Sequence, residues 1–210
     1  MSFDAQRFDE AWARYIAAIK ATKPDFDQLF ESGAPAGDID AVERETGVKL
    51  SADLRHLLLR HDGGKDGMFV LPGWELFSTA RIIEEWKVWD ELRRDQFVPE
   101  GADCEPEGPL KGDEWWRSGW IPFCGDGGGN HLCIDMDPAE GGTPGQVITM
   151  WHDDPQRQFI DASLTDFIET IASDAEEGEL AWSEEWGGVY VPEDEDLGDD
   201  ADDIEDDDED

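Results

Sequence analysis

The chain has 210 residues, of which 39% are hydrophobic, and this length and content suffice for one packed domain with extensions. Its formal net charge is −38, of which residues 193–210 contribute −14, so the rest of the chain carries −24. A negative field of this strength repels nucleic acids and anionic membranes, which excludes both as expected partners, and it speeds the encounter with basic proteins.

The N-terminal part predicts a helical extension followed by a linker. Apolar residues recur there at helical spacing, in the order Phe8, Trp12, Tyr15, Ile16 and Ile19. With Asp4 as a candidate N-cap, residues 1–32 are assigned to this extension. The breaker-rich stretch that ends at Gly37 separates it from the next unit. There, one helix is expected to end at Gly47 and a second to begin after Ser51.

The middle of the chain predicts a strand, a helix and an acidic insertion. Residues 68–71 form an apolar run typical of a short buried strand. Ser78 precedes a helix whose apolar stripe includes Trp86 and Trp89. Residues 94–114 are acidic and contain three prolines, which favours a long loop over the edge of the sheet.

Four strands and a closing helix are expected after this insertion. The strands have the spacing of an antiparallel meander and cover residues 116–123, 131–136, 146–151 and 157–160. Ser163 with Asp166 resembles a capping box, although Asp replaces the usual Glu or Gln. The order of elements predicts an α+β fold, with a mainly antiparallel sheet and helices packed on one face, in a domain that spans residues 37–175.

The C-terminal part is first aromatic and then acidic. Residues 176–192 contain Trp182, Trp186 and an apolar end, and they predict an aromatic segment that docks onto the sheet. Residues 193–210 hold fourteen acidic residues and neither Lys nor Arg. This last segment cannot bury enough apolar area to offset its ordering entropy, so a disordered acidic tail is predicted.

Two apolar runs joined by a glycine-rich turn stand between Trp120 and Pro138, with Asp126–Asn130 as the turn and an acidic corner at the end. Together with the His61-Asp-Gly-Gly64 motif and the order of elements, this stretch resembles the SUKH superfamily, specifically its Smi/Knr-type branch, from roughly Gly37 to Ala172. The resemblance implies a binding protein without catalysis. Many bacterial members look like immunity proteins that neutralise toxins, and fungal relatives regulate cell-wall synthesis as interaction hubs.

Cysteine usage and the N-terminus indicate a reducing cytoplasm, because the three cysteines lack a framework spacing and no apolar signal core is present. Cys124, His131 and Cys133 could supply zinc ligands, and Asp126 with Asn130 could supply calcium ligands. Neither spacing matches a familiar site, since the cysteines suit apolar strand positions and the turn residues can bond to local backbone. No metal, cofactor or catalytic residue is predicted.

The partner-binding surface is predicted from aromatic and acidic residues. Trp115 and Trp116 stand beside the acidic insertion, and strand alternation cannot bury both on one face. An exposed tryptophan rimmed by carboxylates suits a basic partner, whereas burial under another segment is the open alternative. The predicted partner-binding residues are Trp115, Trp116, Asp126, Asn130, Asp135, Asp137, Asp153 and Asp154.

The leading hypothesis from the sequence is a non-enzymatic immunity protein that occludes a cognate bacterial toxin, with a basic nuclease domain as the candidate partner. The alternative is a housekeeping regulatory or scaffold protein of the same family. A metal-dependent enzyme is the third possibility. The negative charge also allows a role in solubility alone. The sequence does not determine the oligomeric state.

Overall fold

Five α-helices, one short 3-10 helix and eight β-strands occur in the residues that the structure describes. The structure is a computed structural model and describes residues 3–65, 67–95 and 104–192. The helices are α1 Ala5–Ile19, the 3-10 helix Phe26–Leu29, α2 Ala36–Thr46, α3 Ala52–Arg60, α4 Thr79–Arg94 and α5 Leu164–Glu177. The strands are β1 Glu75–Leu76, β2 Glu105–Glu107, β3 Trp120–Gly125, β4 His131–Asp135, β5 Gln146–Met150, β6 Gln156–Asp161, β7 Ala181–Ser183 and β8 Gly188–Tyr190. None of these helices is both long and apolar enough to cross a bilayer.

Local sequence signals explain where the helices begin and end. The Asp4 carboxylate caps α1 by accepting hydrogen bonds from backbone N–H groups of the first turn. Ser51, Ser78 and Ser163 cap α3, α4 and α5 in the same way through their hydroxyl groups. Helix α2 ends at Gly47, whose φ of 73° lies in the left-handed region that favours glycine. The predicted caps and the stop at Gly47 are confirmed.

The main sheet has six strands in the order β1-β3-β4-β5-β6-β2. All neighbours are antiparallel except β2, which pairs in parallel with β6. The register places Trp120 of β3 opposite Asp135 of β4, and Cys133 of β4 opposite Ile148 of β5. The central strands β3, β4 and β5 are buried along their whole length. The predicted α+β class with a mainly antiparallel sheet is confirmed.

Helices cover one face of this sheet. Phe167 of α5 meets Phe123 of β3 in an edge-to-face contact, with ring centroids 6.4 Å apart. Helix α1 lies against α5, and Arg7 of α1 forms an ion pair with Glu169 of α5 at 2.5 Å. Tyr15 of α1 is fully buried and donates its hydroxyl hydrogen to the carbonyl oxygen of Val70 at 2.8 Å. The N-terminal helix is therefore part of the same hydrophobic core as the sheet.

Helix α4 and a tryptophan cluster lie on the Trp120 side of β3. Trp89 of α4 stacks on Trp116 with ring centroids 5.8 Å apart, and Trp116 meets Trp120 of β3 edge-on at 5.9 Å. The guanidinium of Arg157 lies 4.9 Å from the ring of Trp115 and 6.0 Å from that of Trp120. Arg157 is fully buried and donates hydrogen bonds to backbone carbonyl oxygens, including that of Trp115 at 3.0 Å. The segment before β3 therefore closes the core on this side.

The acidic insertion differs from the expected loop, because part of it forms the edge strand β2. Residues Glu105–Glu107 are all exposed and pair with residues 156–158 of β6. Strand pairing uses backbone groups, so a charged, exposed sequence can still add a strand to an edge. Residues 96–103 of the insertion lie outside the described residues, as does the predicted tail at 193–210.

The C-terminal aromatic segment folds into the β7-β8 hairpin, which docks on the N-terminal region and not on the sheet. Trp182 is buried against Phe26 with ring centroids 5.9 Å apart, and its backbone N–H donates to the hydroxyl of Thr22 at 3.0 Å. The expected docking onto the sheet is wrong, because Trp182 packs on Phe26 of the 3-10 helix and bonds to the turn that precedes it. The predicted strand at 68–71 is reduced to isolated bridges, which join Phe69 to Gly188 and Leu71 to Trp74. The predicted segment boundaries at 32, 37 and 175 stay a prediction.

Candidate protein-binding surface

The two tryptophans chosen as surface anchors are buried. Trp115 is 8% exposed and Trp116 is 0% exposed, because Trp89, Trp120 and Arg157 enclose them. Their assignment to a partner surface is therefore wrong, and the alternative of a covered core cluster is what the structure shows. A tryptophan packed on a buried guanidinium contributes to folding and presents no area to a partner.

The acidic corner after β4 is also largely used inside the molecule. Asp135 is fully buried and accepts a hydrogen bond from the side-chain amide of Gln146 at 3.0 Å, so it too is wrongly placed on the predicted surface. Burial raises the pKa of Asp135. Asp137 is partly exposed, but its carboxylate pairs with Lys111 at 2.5 Å and Arg117 at 2.9 Å. These hydrogen bonds lower the pKa of Asp137, and they reduce the charge that it offers to a partner.

The acidic turn, defined as residues 126–130, is a rigid feature at the opposite end of β3. One carboxylate oxygen of Asp126 accepts backbone hydrogen bonds from Gly128 at 2.8 Å and Asn130 at 3.1 Å. The other accepts from the side-chain amide of Asn130 at 2.6 Å. Although burial favours the neutral acid, these hydrogen bonds prevail and lower the pKa of Asp126. The carboxylate is therefore ionised and held in one orientation.

His152 ties this turn to the end of β5. Its backbone N–H and its ring Nδ1 both donate to the amide oxygen of Asn130, each at 2.9 Å. The following residues, Asp153 and Asp154, are exposed, and the Asp154 carboxylate accepts a hydrogen bond from the backbone N–H of Gln156 at 2.7 Å. The fold thus brings together Asp126, Asn130, Asp153 and Asp154. Partner binding by these residues stays a prediction.

An open groove of about 620 Å³ lies beside the acidic turn. We call it the Trp186 groove, and its lining residues include Phe69, Pro72, Asp126, Trp186, Tyr190 and Val191. Its walls are joined by backbone hydrogen bonds between the 69–73 loop and β8. Phe69 donates to Gly187 at 3.2 Å, Val189 donates to Phe69 at 2.8 Å, and Gly73 donates to Val189 at 3.0 Å. The groove is therefore preformed.

Trp186 and Val191 are the exposed apolar residues of this groove, at 70% and 66% exposure. Sequence reasoning missed them as surface residues because it treated the aromatic segment as one docking unit. A usable signal was present in the chain: Trp186 follows two glutamates and precedes Gly187 and Gly188, which is typical of a turn between two short strands.

The cysteine and histidine positions weighed for zinc lie inside the sheet. Cys124 and Cys133 are fully buried, and burial raises the pKa of both thiols. His131 is bonded to Trp89 and faces the carbonyl oxygen of Cys124. The described residues contain no group of three His, Cys, Asp or Glu side chains placed to hold a metal ion. These positions are those of packed strand residues.

Fold and surface together define a class of protein: a mixed α+β domain with an open aromatic groove beside an ordered carboxylate. The sequence model of the SMI1 / KNR4 family (SUKH-1) matches residues 33–170. The chain belongs to this family, which confirms the resemblance seen in its sequence.

Three of the relatives of this chain are described as fungal regulators. The chain is 31% identical over 160 residues to the cell wall biosynthesis/cell cycle regulator smi1 of Schizosaccharomyces pombe, over 70% of this chain and 32% of that protein. It is 26% identical over 190 residues to a glucan synthesis regulatory protein of Neurospora crassa, over 73% of this chain and 35% of that protein. It is 34% identical over 209 residues to the cell wall assembly regulator SMI1 of Saccharomyces cerevisiae, over 80% of this chain and 40% of that protein. The chain thus spans between 32% and 40% of the length of these three relatives.

These descriptions name regulators and not enzymes, in agreement with the non-enzymatic expectation. They favour the regulatory alternative over toxin neutralisation, which none of them mentions. A protein partner fits the family, whereas a basic toxin as that partner has no support among these relatives.

Proposed function

We propose that this chain is a regulatory protein-binding module that acts without catalysis and holds a basic partner protein across the Trp186 groove and the acidic turn. The observation that carries the proposal is the exposed Trp186, which stands with Val191 beside the ionised carboxylate of Asp126. An exposed tryptophan in a preformed groove is the kind of residue that dominates binding energy at protein interfaces.

The charge of the chain supports a basic partner. The net charge of −38 raises the rate of encounter with a positively charged protein, and salt weakens this effect by screening. Asp153 and Asp154 extend the negative rim beyond the groove and are exposed. In this arrangement the aromatic contact supplies affinity, while the carboxylates supply orientation and steering.

The regulatory role is proposed from the relatives, which are described as regulators of cell-wall biosynthesis or assembly and of glucan synthesis. For this chain we propose the same kind of role in the cytoplasm, exerted by bringing or withholding a partner protein. Asn130 contributes by holding Asp126 and His152 in place. Asp137 is not part of the proposed surface, because it lies at the other end of β3 and pairs with Lys111 and Arg117.

The test is quantitative affinity capture with the full chain, expressed in place of the native copy in its own cell. The groove variant combines Trp186→Ala with Val191→Ser, and the matched control is Leu59→Ala, because Leu59 is an apolar residue with 51% exposure on α3. We expect wild type and control to retain the same salt-sensitive basic proteins, and the groove variant to retain about a tenth or less.

Growth under cell-wall stress is measured on the same strains. Impaired growth of the groove variant, in the absence of any toxin, is the result expected of a regulator. An unchanged set of captured proteins in the groove variant would contradict the proposal.

A further inference from the structure

We propose that the Trp186 groove binds a proline-rich segment in the polyproline II conformation, with an arginine of that segment on Asp126. This inference rests on the proposed function and specifies the chemistry of the partner at the same surface. It follows from the lining of the groove, from its backbone and from the state of one carboxylate.

Most of the side chains among the lining residues are flat or rigid apolar groups. Trp186, Tyr190, Phe69 and Pro72 present rings, and Val191 presents a branched aliphatic side chain. Polyproline II segments dock in aromatic-lined grooves because their pyrrolidine rings pack on flat side chains and their backbone is already extended before binding. Little conformational entropy is lost on either side, since the walls of the groove are hydrogen-bonded to each other.

The backbone of the groove disfavours the addition of a strand from a partner. Strand β8 pairs with β7 on one side. On the other side, Val189 of β8 bonds to the backbone of Phe69 and Gly73, and Gly187, just before the strand, bonds to Phe69. A partner strand needs a row of free N–H and C=O groups. A polyproline II segment needs none, because its own backbone makes no regular ladder.

Asp126 supplies the charge that selects arginine. Its carboxylate accepts three hydrogen bonds from Gly128 and Asn130, and a carboxylate has about four acceptor positions, so capacity remains for one guanidinium donor. Within the described ranges, no lysine or arginine forms an ion pair with Asp126, and the lining of the groove contains neither residue. The surplus of negative charge in the chain further disfavours an acidic segment in the groove.

The experiment is a titration of the full chain, labelled with nitrogen-15, in which the indole N–H resonance of Trp186 is followed. The resonance is assigned from the Trp186→Phe variant. The probe is a synthetic peptide with the sequence Arg-Ala-Leu-Pro-Pro-Leu-Pro. One control peptide replaces each proline by alanine, and a second replaces the arginine by glutamate.

We expect the proline-rich probe to shift the Trp186 resonance with saturation, and the alanine peptide to bind at least about tenfold more weakly. Trp186→Ala should weaken binding by a similar factor, whereas Leu59→Ala should leave it unchanged. Asp126→Asn should lower the affinity severalfold, because the arginine then lacks its charged partner. Glu140→Gln is the control for loss of an exposed carboxylate elsewhere.

Equal binding of the proline and alanine peptides would overturn the inference, as would a Trp186 resonance that none of the peptides moves. A resonance that moves with protein concentration would assign the groove to a second copy of the chain. A shift caused instead by a synthetic peptide of residues 193–210 would assign it to the chain's own acidic segment. Either result would also overturn the inference. If partner capture in cells depends on Trp186 while the proline-rich probe does not bind, the proposed function stands and only this inference fails.

Discussion

His131 of β4 is a buried neutral histidine, and its environment predicts a loss of stability in mild acid. Its ring Nε2 accepts a hydrogen bond from the indole N–H of Trp89 at 3.0 Å. The proton is therefore on Nδ1, which faces the carbonyl oxygen of Cys124 at 3.3 Å. Burial is the main cause that lowers the pKa of His131 from 6.5 to about 4, against the opposing hydrogen bond to Cys124.

The sign of the pH effect follows from the two protonation states. The unfolded chain takes up a proton on this residue near pH 6.5, whereas the folded protein takes it up only near pH 4. Stability from the neutral imidazole is complete above about pH 6.5 and is lost as the pH falls towards 4. Between pH 7.5 and pH 5.0 this single group should lower the free energy of unfolding by about 2 kcal/mol.

Neighbouring charged groups make a difference measurement necessary. The Glu85 carboxylate lies 3.6 Å from Nε2 of His131, and burial raises the pKa of Glu85. That carboxyl group stabilises the folded protein as the pH falls, which is the opposite effect. The other charged groups that act on His131 are Asp126, Arg81 and His152.

The assay is urea unfolding of wild type and His131→Gln at pH 7.5 and pH 5.0. The introduced glutamine side chain retains an acceptor for the indole N–H of Trp89 but does not titrate. We expect wild type to lose about 2 kcal/mol more than His131→Gln over this pH interval. An equal loss in both proteins would refute the assignment of this effect to His131.

Three further changes test packing and capping by urea unfolding at pH 7.5. Arg157→Met leaves buried carbonyl oxygens, including that of Trp115, without their donor, so we expect a loss of about 3 kcal/mol, whereas exposed Arg44→Met should change stability by less than about 0.5 kcal/mol. Trp182→Ala should cost about 3 to 5 kcal/mol because Trp182 packs on Phe26, while Trp186→Ala should cost little, and equal losses would contradict the hairpin orientation. Ser163→Ala removes the α5 cap bond to the backbone of Asp166, at 3.1 Å, and should cost about 1 kcal/mol, with Ser163→Asn restoring most of it.

Features governed by residues close in the chain could be predicted from the sequence. The caps at Asp4, Ser51 and Ser163 and the stop at Gly47 depend on one helical turn each, and all agree with the structure. The family could be recognised because it rests on the order of such elements and on the 126–130 turn.

Edge pairing and the exposure of aromatic residues could not be predicted in this way. Strand β2 pairs through its backbone with β6, about fifty residues later, so its charged side chains carry no signal of the pairing. Trp116 is buried by residues from α4 and β3, whereas Trp186, with equally acidic neighbours, is exposed. The difference depends on which distant surfaces meet each ring.

The sequence by itself determined the acidity of the chain, the capped helix starts and the helix stop at Gly47, the α+β class and the family. Each of these depends on composition or on short-range patterns. Only the tertiary structure decided the binding surface. It buried Trp115, Trp116 and Asp135 in the core and brought Trp186 beside Asp126. The physical reason is that burial is a property of contacts between segments, and side chains of the same type gain or lose contact with water according to what packs against them.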